Sequence, residues 1–146
     1  MITYIEGDLF TCGIKALAHG CNCQGVMGAG IAAQFRARFP AMYERYRNLC
    51  ADGWFIPGEV MPWTEQDRVV FNLATQARPG LDAQPWMIAA AVGRMIMYGV
   101  RHRITEIAMP WIGTGIGGLS PGRLMRTIEP YENAPVNLTV VTWRGP

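Results

Sequence analysis

A glycine-rich segment, Gly20 to Ile31 (GCNCQGVMGAGI), stands between a short apolar run and an amphipathic run. Gly25, Gly28 and Gly30 can adopt positive φ angles, and their missing Cβ atoms let a ligand approach the backbone. If the amphipathic run is a helix, its first amides and its dipole favour an anion at this point. The segment predicts a diphosphate cradle that needs no lysine. The alternative is a glycine-rich turn that serves packing only.

A second glycine-rich segment, Ile112 to Leu119 (IGTGIGGL), also stands between an apolar run and a helix-like run. Its four glycines and Thr114 can supply another set of amides and one hydroxyl to a phosphate or a ribose. The match to G-x-G-x-x-G through Gly113, Gly115 and Gly118 does not indicate a dehydrogenase, because that fingerprint opens a longer α/β fold. No Gly-Lys-Ser/Thr sequence is present, which excludes a P-loop. Two such segments predict a diphosphate gripped from both sides, as in a nucleoside diphosphate sugar.

His19 directly precedes the first segment and is a candidate general acid or base. The alternative is a buried, hydrogen-bonded histidine at the end of a strand. The cysteines Cys12, Cys21, Cys23 and Cys50 have neither zinc-ligand spacing nor the pattern of a disulfide framework. We therefore expect free thiols in a reducing compartment, no metal site and no cofactor.

Strand-like and helix-like runs alternate along the chain, which favours an α/β fold with helices on both faces of a sheet. In such folds ligands bind beyond the carboxyl ends of the strands, where loops meet helix N-termini. The predicted strands are Ile2–Glu6, Ala16–His19, Glu59–Trp63, Arg68–Leu73, Glu106–Ile112 and Asn137–Trp143, and the predicted helices are Gly28–Phe39, Pro40–Leu49, Pro85–Gly99 and Pro121–Ile128.

The chain has 146 residues, of which 50% are hydrophobic and 16% charged, so we expect one folded domain over residues 1–146. No apolar run approaches the ~20 residues that span a bilayer. The first residues lack the basic region of a signal peptide, so we expect a cytoplasmic protein. We also expect a monomer. A net charge of +2 does not by itself indicate nucleic acid. We interpret the cluster Arg36, Arg38, Arg45 and Arg47 as a solvated helix face, with a surface for phosphates or an acidic partner as the alternative.

Three motifs in this order resemble the macrodomain family: GDLF at Gly7–Phe10, LAHGCNCQGVMGAGIA at Leu17–Ala32, and AMPWIGTGIGGL at Ala108–Leu119. The chain is most similar to the branch of terminal ADP-ribose glycohydrolases, DarG-type antitoxins and yeast-type ADP-ribose 1″-phosphate phosphatases. The resemblance implies a three-layer α/β/α fold with a central mixed sheet of about six strands. It implies ADP-ribose or ADP-ribose 1″-phosphate as the ligand, with ADP-ribosylated protein or nucleic acid as further partners.

Carried over to this sequence, the resemblance gives each part of the site a role. Asp8 accepts a hydrogen bond from the adenine amino group, Leu9 lies beside it, and Asn22 contacts the distal ribose. Adenine usually rests on a large side chain of the last strand; Val141 stands at that position here, so the role passes to Trp143. The other implied ligand-binding residues are Gly28, Ala29, Gly30 and Ile31 for the diphosphate, Thr75 and Gln76 after the fourth strand, and Gly113, Thr114, Gly115, Ile116 and Gly117 in the second segment.

The glycohydrolase members use a lysine after the fourth strand and an aspartate in the second segment. Gln76 or Ala77 stands at the lysine position of this sequence, and Gly117 stands at the aspartate position. Lys15 is the one lysine and lies elsewhere in the chain. A covalent lysine mechanism is therefore excluded.

The run AHGCNC matches the phosphatase members and implies that His19 and Asn22 act in catalysis. Asp82 is the candidate acidic partner, and a solvated loop charge is the alternative. We expect a hydrolase that acts at the 1″ end of ADP-ribose derivatives. The alternatives are a reader, which binds ADP-ribose without turnover, and a nucleic-acid de-ADP-ribosylase that holds the strand through the arginine cluster.

Overall fold

The computed structural model describes residues 1–143, and within them six strands form one mixed sheet. The order across the sheet is β1-β6-β5-β2-β4-β3. All neighbouring strands are parallel except β3, which pairs antiparallel with β4 at one edge. The strands are β1 Ile2–Glu6, β2 Ala16–Cys21, β3 Val60–Glu65, β4 Arg68–Ala74, β5 Glu106–Met109 and β6 Asn137–Thr142.

Four α-helices cover the two faces of the sheet in the described residues: α1 Gly30–Arg38, α2 Pro40–Ala51, α3 Pro85–Arg101 and α4 Pro121–Ile128. Alternate residues of each strand face opposite layers. In β5, Ile107 and Met109 pack with α3 and α4, whereas Ala108 packs with α1 and α2. The fold is therefore a three-layer α/β/α sandwich, as predicted. None of the described helices is both long and apolar enough to cross a membrane.

The predicted elements are confirmed, with some ends shifted. β1 and α4 have the predicted bounds, and β2 is two residues longer than predicted. β5 ends at Met109 rather than at residue 112, because Pro110 has no amide proton for the ladder. α1 begins at Gly30 rather than at residue 28, because Ala29 is still extended, with φ −147° and ψ 163°.

Three of the four clustered arginines of α1 and α2 lie on aromatic rings or pair with an acidic side chain. The guanidinium of Arg36 stacks over Tyr43 at 4.2 Å from the ring centroid, and that of Arg38 over Phe10 at 3.9 Å. Arg47 forms an exposed ion pair of 2.9 Å with Glu44. These contacts fit the interpretation of a solvated helix face.

Five strands, β1, β6, β5, β2 and β4, run in the same direction, so their carboxyl ends lie along one edge of the sheet. From β1 to β4 this edge spans four strand spacings, or about 19 Å. It can therefore support an elongated ligand laid across the strands. The two glycine-rich segments predicted to bind phosphate follow β2 and β5, which are neighbours at its centre.

Candidate ligand-binding site

A cavity of about 610 Å³ opens at this edge of the sheet. Its lining comes from the loops that follow all five parallel strands. The structure brings together in this cavity every residue predicted to bind ligand: Asp8, Leu9, Asn22, Gly28, Ala29, Gly30, Ile31, Thr75, Gln76, Gly113, Thr114, Gly115, Ile116, Gly117 and Trp143.

The first glycine loop, residues 20–31, presents free backbone amides to the cavity. Within the described residues, the amides of Gly28, Ala29 and Gly30 donate no hydrogen bond. Gly30 has φ +59° and opens α1, so the first amides of that helix also point out of its N-terminus. A group of outward amides at a helix N-terminus binds an anion through hydrogen bonds and the helix dipole.

Asn22 holds the first glycine loop in this shape. Its Oδ1 accepts from the amides of Gln24 at 2.9 Å and Val26 at 3.4 Å, and its Nδ2 donates to the Val26 carbonyl at 2.8 Å. The buried hydroxyl of Tyr46 lies 2.8 Å from the Asn22 carbonyl oxygen and 3.0 Å from Oδ1. Asn22 lines the cavity, and its second Nδ2 proton is the one left for a ligand.

The second glycine loop, residues 112–119, presents a further set of amides. Those of Gly115, Ile116 and Gly117 donate no hydrogen bond within the described residues. Thr114 lines the cavity, as expected for a hydroxyl that contacts a phosphate or a ribose. Its Oγ1 donates its proton to the Trp111 carbonyl at 2.7 Å, so it can only accept from a ligand.

Gly117 has no room for a side chain. A Cβ atom there would lie 2.7 Å from the carbonyl oxygen of Gly113 and 2.8 Å from the Cβ of Ala83. The position at which glycohydrolase members carry an aspartate is therefore closed to any side chain in this loop conformation.

The two glycine loops meet across the cavity. A Cβ atom on Gly30 would lie 3.9 Å from Cδ1 of Ile116, within van der Waals contact. The free amides of residues 28–30 and of residues 115–117 thus belong to two loops that approach each other around one cavity. Such an arrangement suits a diphosphate.

The end of the cavity over β1 and β6 is lined by Asp8, Leu9, Val141 and Trp143. Oδ1 of Asp8 accepts from the Phe10 amide at 2.8 Å and caps a short 3₁₀ helix, which leaves Oδ2 without a partner in the described residues. Val141 is buried, whereas Trp143 is 60% exposed beside the opening. A planar base can lie between the carboxylate and these apolar side chains.

The opposite end lies over β2 and β4. Thr75 is buried on the cavity floor, and its Oγ1 forms no hydrogen bond within the described residues. Gln76 also lines the cavity, but its Nε2 donates to the carbonyls of Arg78 at 2.6 Å and Gly80 at 3.0 Å. Its side chain therefore orders its own loop, and Thr75 is the better donor to a sugar hydroxyl.

His19 does not reach the cavity. It is fully buried, its ring stacks on Phe35 at a centroid distance of 4.0 Å, and its Nε2 lies 2.7 Å from Oδ1 of Asn72. Burial lowers the pKa of His19 to about 4, and the hydrogen bond to Asn72 opposes this only in part. This position does not agree with the predicted acid or base role and matches the alternative of a buried, hydrogen-bonded histidine.

The other charged candidates also lie away from the cavity lining. Lys15 forms an exposed ion pair of 2.8 Å with Asp67, before the start of β2 and thus at the opposite edge of the sheet. Asp82 accepts from the amides of Ala77 and Arg78 at 3.0 and 2.9 Å and organises its own loop. Among the described lining residues, Asp8 is the one charged side chain.

The four cysteines are free thiols, and no cluster of three His, Cys, Asp or Glu side chains in the described residues could hold a metal ion. Cys21 lines the cavity, but burial raises the pKa of its thiol. Burial also raises the pKa of the Cys23 thiol, to about 12. Both thiols are therefore protonated at neutral pH and poor nucleophiles.

Several lining residues were missed by the sequence reasoning, among them Val26, Gln34 and Trp111. Gln34 lies one helical turn after Gly30, so helical spacing was the signal that could have found it. Trp111 follows β5 directly, and its Nε1 donates to Oγ1 of Thr142 at 2.8 Å, which ties the second glycine loop to β6.

Comparison with known proteins places this site in a family. The Macro domain family matches residues 18–128, which is most of the chain. The chain belongs to the macrodomain family. The matched segment contains both glycine loops and the clustered amides.

A DNA ADP-ribosyl glycohydrolase of Mycobacterium tuberculosis is 34% identical over 123 residues, which cover 82% of this chain and 35% of that protein. This macrodomain chain thus spans about a third of the length of that curated relative. An ADP-ribose 1″-phosphate phosphatase of Debaryomyces hansenii is 46% identical over 57 residues, which cover 35% of this chain and 32% of that protein. The solved macrodomain of Mycobacterium tuberculosis DarG superposes with a TM-score of 0.85 at 29% identity, covering 97% of both chains.

Proposed function

We propose that this macrodomain binds ADP-ribose and hydrolyses groups attached to the C1″ carbon of its distal ribose. The observation that carries the proposal is the pair of opposed amide sets in the two glycine loops. They bind a diphosphate from two sides without a cationic side chain, and the cavity continues on both sides of them.

The ligand lies along the carboxyl edge of the sheet in this proposal. Adenine sits over β1 and β6, where Oδ2 of Asp8 accepts from its amino group and Trp143 covers its ring. The diphosphate lies between the two glycine loops over β5 and β2. The distal ribose lies over β2 and β4, where Asn22 and Thr75 can hydrogen-bond its hydroxyls.

Hydrolysis is supported by the relatives, which carry the names of a glycohydrolase and a phosphatase. At the distal end, Asn22 and Thr75 can orient a water molecule by hydrogen bonds, but neither transfers a proton at neutral pH. In the proposed reaction, water adds to C1″ as the bond from C1″ to the leaving group breaks. The leaving group departs with the electron pair, and the proton lost by the water passes to solvent. ADP-ribosylated DNA or protein and ADP-ribose 1″-phosphate are the proposed substrates.

A reader without turnover is the second candidate. The observation that favours it is that Asp8 is the one charged side chain among the described lining residues, and it lies at the adenine end of the cavity. Among the residues that the structure describes, the distal end therefore offers no carboxylate, lysine or histidine to act as general acid or base.

Phosphorus NMR distinguishes the two functions. The wild-type protein is incubated with ADP-ribose 1″-phosphate and, separately, with an ADP-ribosylated DNA oligonucleotide. We expect release of free phosphate or free ADP-ribose at a rate proportional to enzyme concentration, and loss of this release in Gly30→Glu. Binding of both ligands without release of either product would establish the reader instead.

A further inference from the structure

The segment between β4 and α3, residues 75–84, contacts both glycine loops and is called the clasp below. The carbonyl of Ala77 accepts from the amide of Cys23 in the first glycine loop at 3.1 Å. The amide of Ala83 donates to the carbonyl of Gly117 in the second glycine loop at 3.3 Å. The clasp thus connects the two amide sets that face each other across the cavity.

The side chain of Ala83 strengthens the second of these connections. Its Cβ lies where Cβ atoms on Gly113 and Gly117 would approach within 3.3 and 2.8 Å. The second glycine loop is therefore packed directly on the clasp. We expect a change in the shape of the clasp to move this loop relative to the first one.

Asp82 holds the clasp in shape. Its Oδ2 accepts from the amides of Ala77 at 3.0 Å and Arg78 at 2.9 Å, and its own amide donates to the Gly80 carbonyl at 2.8 Å. The amide of Arg78, and with it that of Ala77, lowers the pKa of Asp82, so the carboxylate is charged at neutral pH. The Arg78 guanidinium is largely exposed and lies 3.6 Å from Oδ1, so this ion pair adds little.

We propose that Asp82 is a positioning residue, whose carboxylate folds the clasp and so sets the separation of the two glycine loops around the diphosphate. Two successive amides converge on one charged oxygen, and such charge-assisted bonds are stronger than neutral ones. Ala77, held by Asp82, fixes the first loop, and Ala83, which follows Asp82, fixes the second. The inference rests on the proposed function, because only a ligand that touches both loops senses their separation.

The test compares two ligands by titration calorimetry or NMR titration. ADP-ribose carries both phosphates, whereas AMP carries adenine and one phosphate and depends less on the loop separation. In Asp82→Ala we expect the Kd for ADP-ribose to rise about tenfold and that for AMP less than about twofold. Asp82→Asn, which keeps an acceptor oxygen without the charge, should lie between wild type and Asp82→Ala for ADP-ribose.

Asp67→Ala is the matched control. Asp67 is also an ion-paired carboxylate, but it lies just before β4, at the edge of the sheet opposite the clasp. Its removal should leave both Kd values unchanged. Circular dichroism shows which variants are folded, and the ratio of the two affinities in the folded Asp82 variants decides the question.

The outcomes separate the two proposals. A wild-type protein that does not bind ADP-ribose overturns the proposed function. A wild-type protein that binds ADP-ribose, together with Asp82 variants whose ratio of ADP-ribose to AMP affinity is unchanged, overturns the positioning role of Asp82 alone.

Discussion

Backbone amides, rather than charged side chains, form the proposed anion-binding part of this site. A cationic side chain can move to meet a phosphate, but an amide is placed by the φ and ψ angles of its own loop. Binding therefore depends on a few glycines whose conformation other residues do not adopt. Gly30, with φ +59° at the start of α1, is one of these and lines the cavity.

Replacement of Gly30 by glutamate is expected to abolish ADP-ribose binding. The side chain projects into the cavity opposite Ile116, and its charge repels the diphosphate. Gly53→Glu is the matched control, because Gly53 also has a positive φ, +76°, but follows α2 in open space. Both variants place a side chain at a positive φ and add the same charge. Calorimetric titration should show unchanged affinity only in Gly53→Glu, and unchanged affinity in Gly30→Glu would move the diphosphate site elsewhere.

Loops, at the scale of elements, take their shape from the strands and helices that they join. The first glycine loop ends at the N-terminus of α1, so the helix dipole adds to the attraction of its amides for an anion. The second glycine loop closes on itself, with the amide of Leu119 donating to the Gly113 carbonyl at 2.9 Å and that of Gly118 to Gly115 at 3.2 Å. The clasp then sets this closed turn against the first loop.

Gly117→Ala and Gly115→Ala test how tightly the second glycine loop is packed. A Cβ on Gly117 meets the Gly113 carbonyl and Ala83, so we expect a loss of roughly 1–3 kcal/mol in the free energy of unfolding. A Cβ on Gly115 meets no atom within 4 Å, and we expect a change within about 0.5 kcal/mol. Urea unfolding measures both, and equal stabilities of the two variants would show that the turn relaxes freely.

His19 matters at the scale of the whole molecule. Its ring is enclosed between the sheet and α1, stacked on Phe35 and hydrogen-bonded to Asn72, whose Nδ2 donates to the Met61 carbonyl of β3 at 3.1 Å. These contacts join β2, β4, β3 and α1 directly beneath the cavity floor. A neutral imidazole suits this place, since a buried charge would lack a counter-ion.

The burial of His19 predicts a stability that falls in mild acid. Its folded pKa of about 4 lies below the ordinary value of 6.5, so the unfolded chain binds a proton that the folded chain does not between these values. Its contribution is therefore present above pH 6.5 and is lost as the pH falls toward 4. Between pH 7 and pH 5 we expect the free energy of unfolding to fall by roughly 2 kcal/mol.

Urea unfolding at the two pH values measures this loss. His102→Gln, which replaces the exposed histidine after α3, should retain it, whereas His19→Gln should not. A wild-type protein equally stable at pH 7 and pH 5 would contradict the buried neutral state of His19.

The monomeric state and cytoplasmic location stay predictions of the sequence.

The sequence by itself determined the order of the strands and helices and many of the residues that line the cavity, although not Val26, Gln34 or Trp111. Alternation of strand and helix signals, prolines at helix starts and glycines at strand-to-helix junctions are local features, so they can be recognised without tertiary contacts. They placed both glycine loops, and the motifs within them carried the resemblance to macrodomains. The absence of a lysine and an aspartate at two positions could also be read directly from the chain.

Only the tertiary structure decided which polar groups face the ligand. Asn72 lies 53 residues from His19 along the chain, and its Oδ1 accepts a hydrogen bond from the histidine ring within the core. No spacing rule predicts such a pair. Thr114 was predicted to contact the ligand and Asp82 to be the acidic catalytic partner, and neither the hydrogen bond of Thr114 to Trp111 nor those of Asp82 to the clasp amides could be read from the sequence. The hydrogen-bond partner of a side chain depends on how segments of the chain pack together, and this packing exists only in the folded protein.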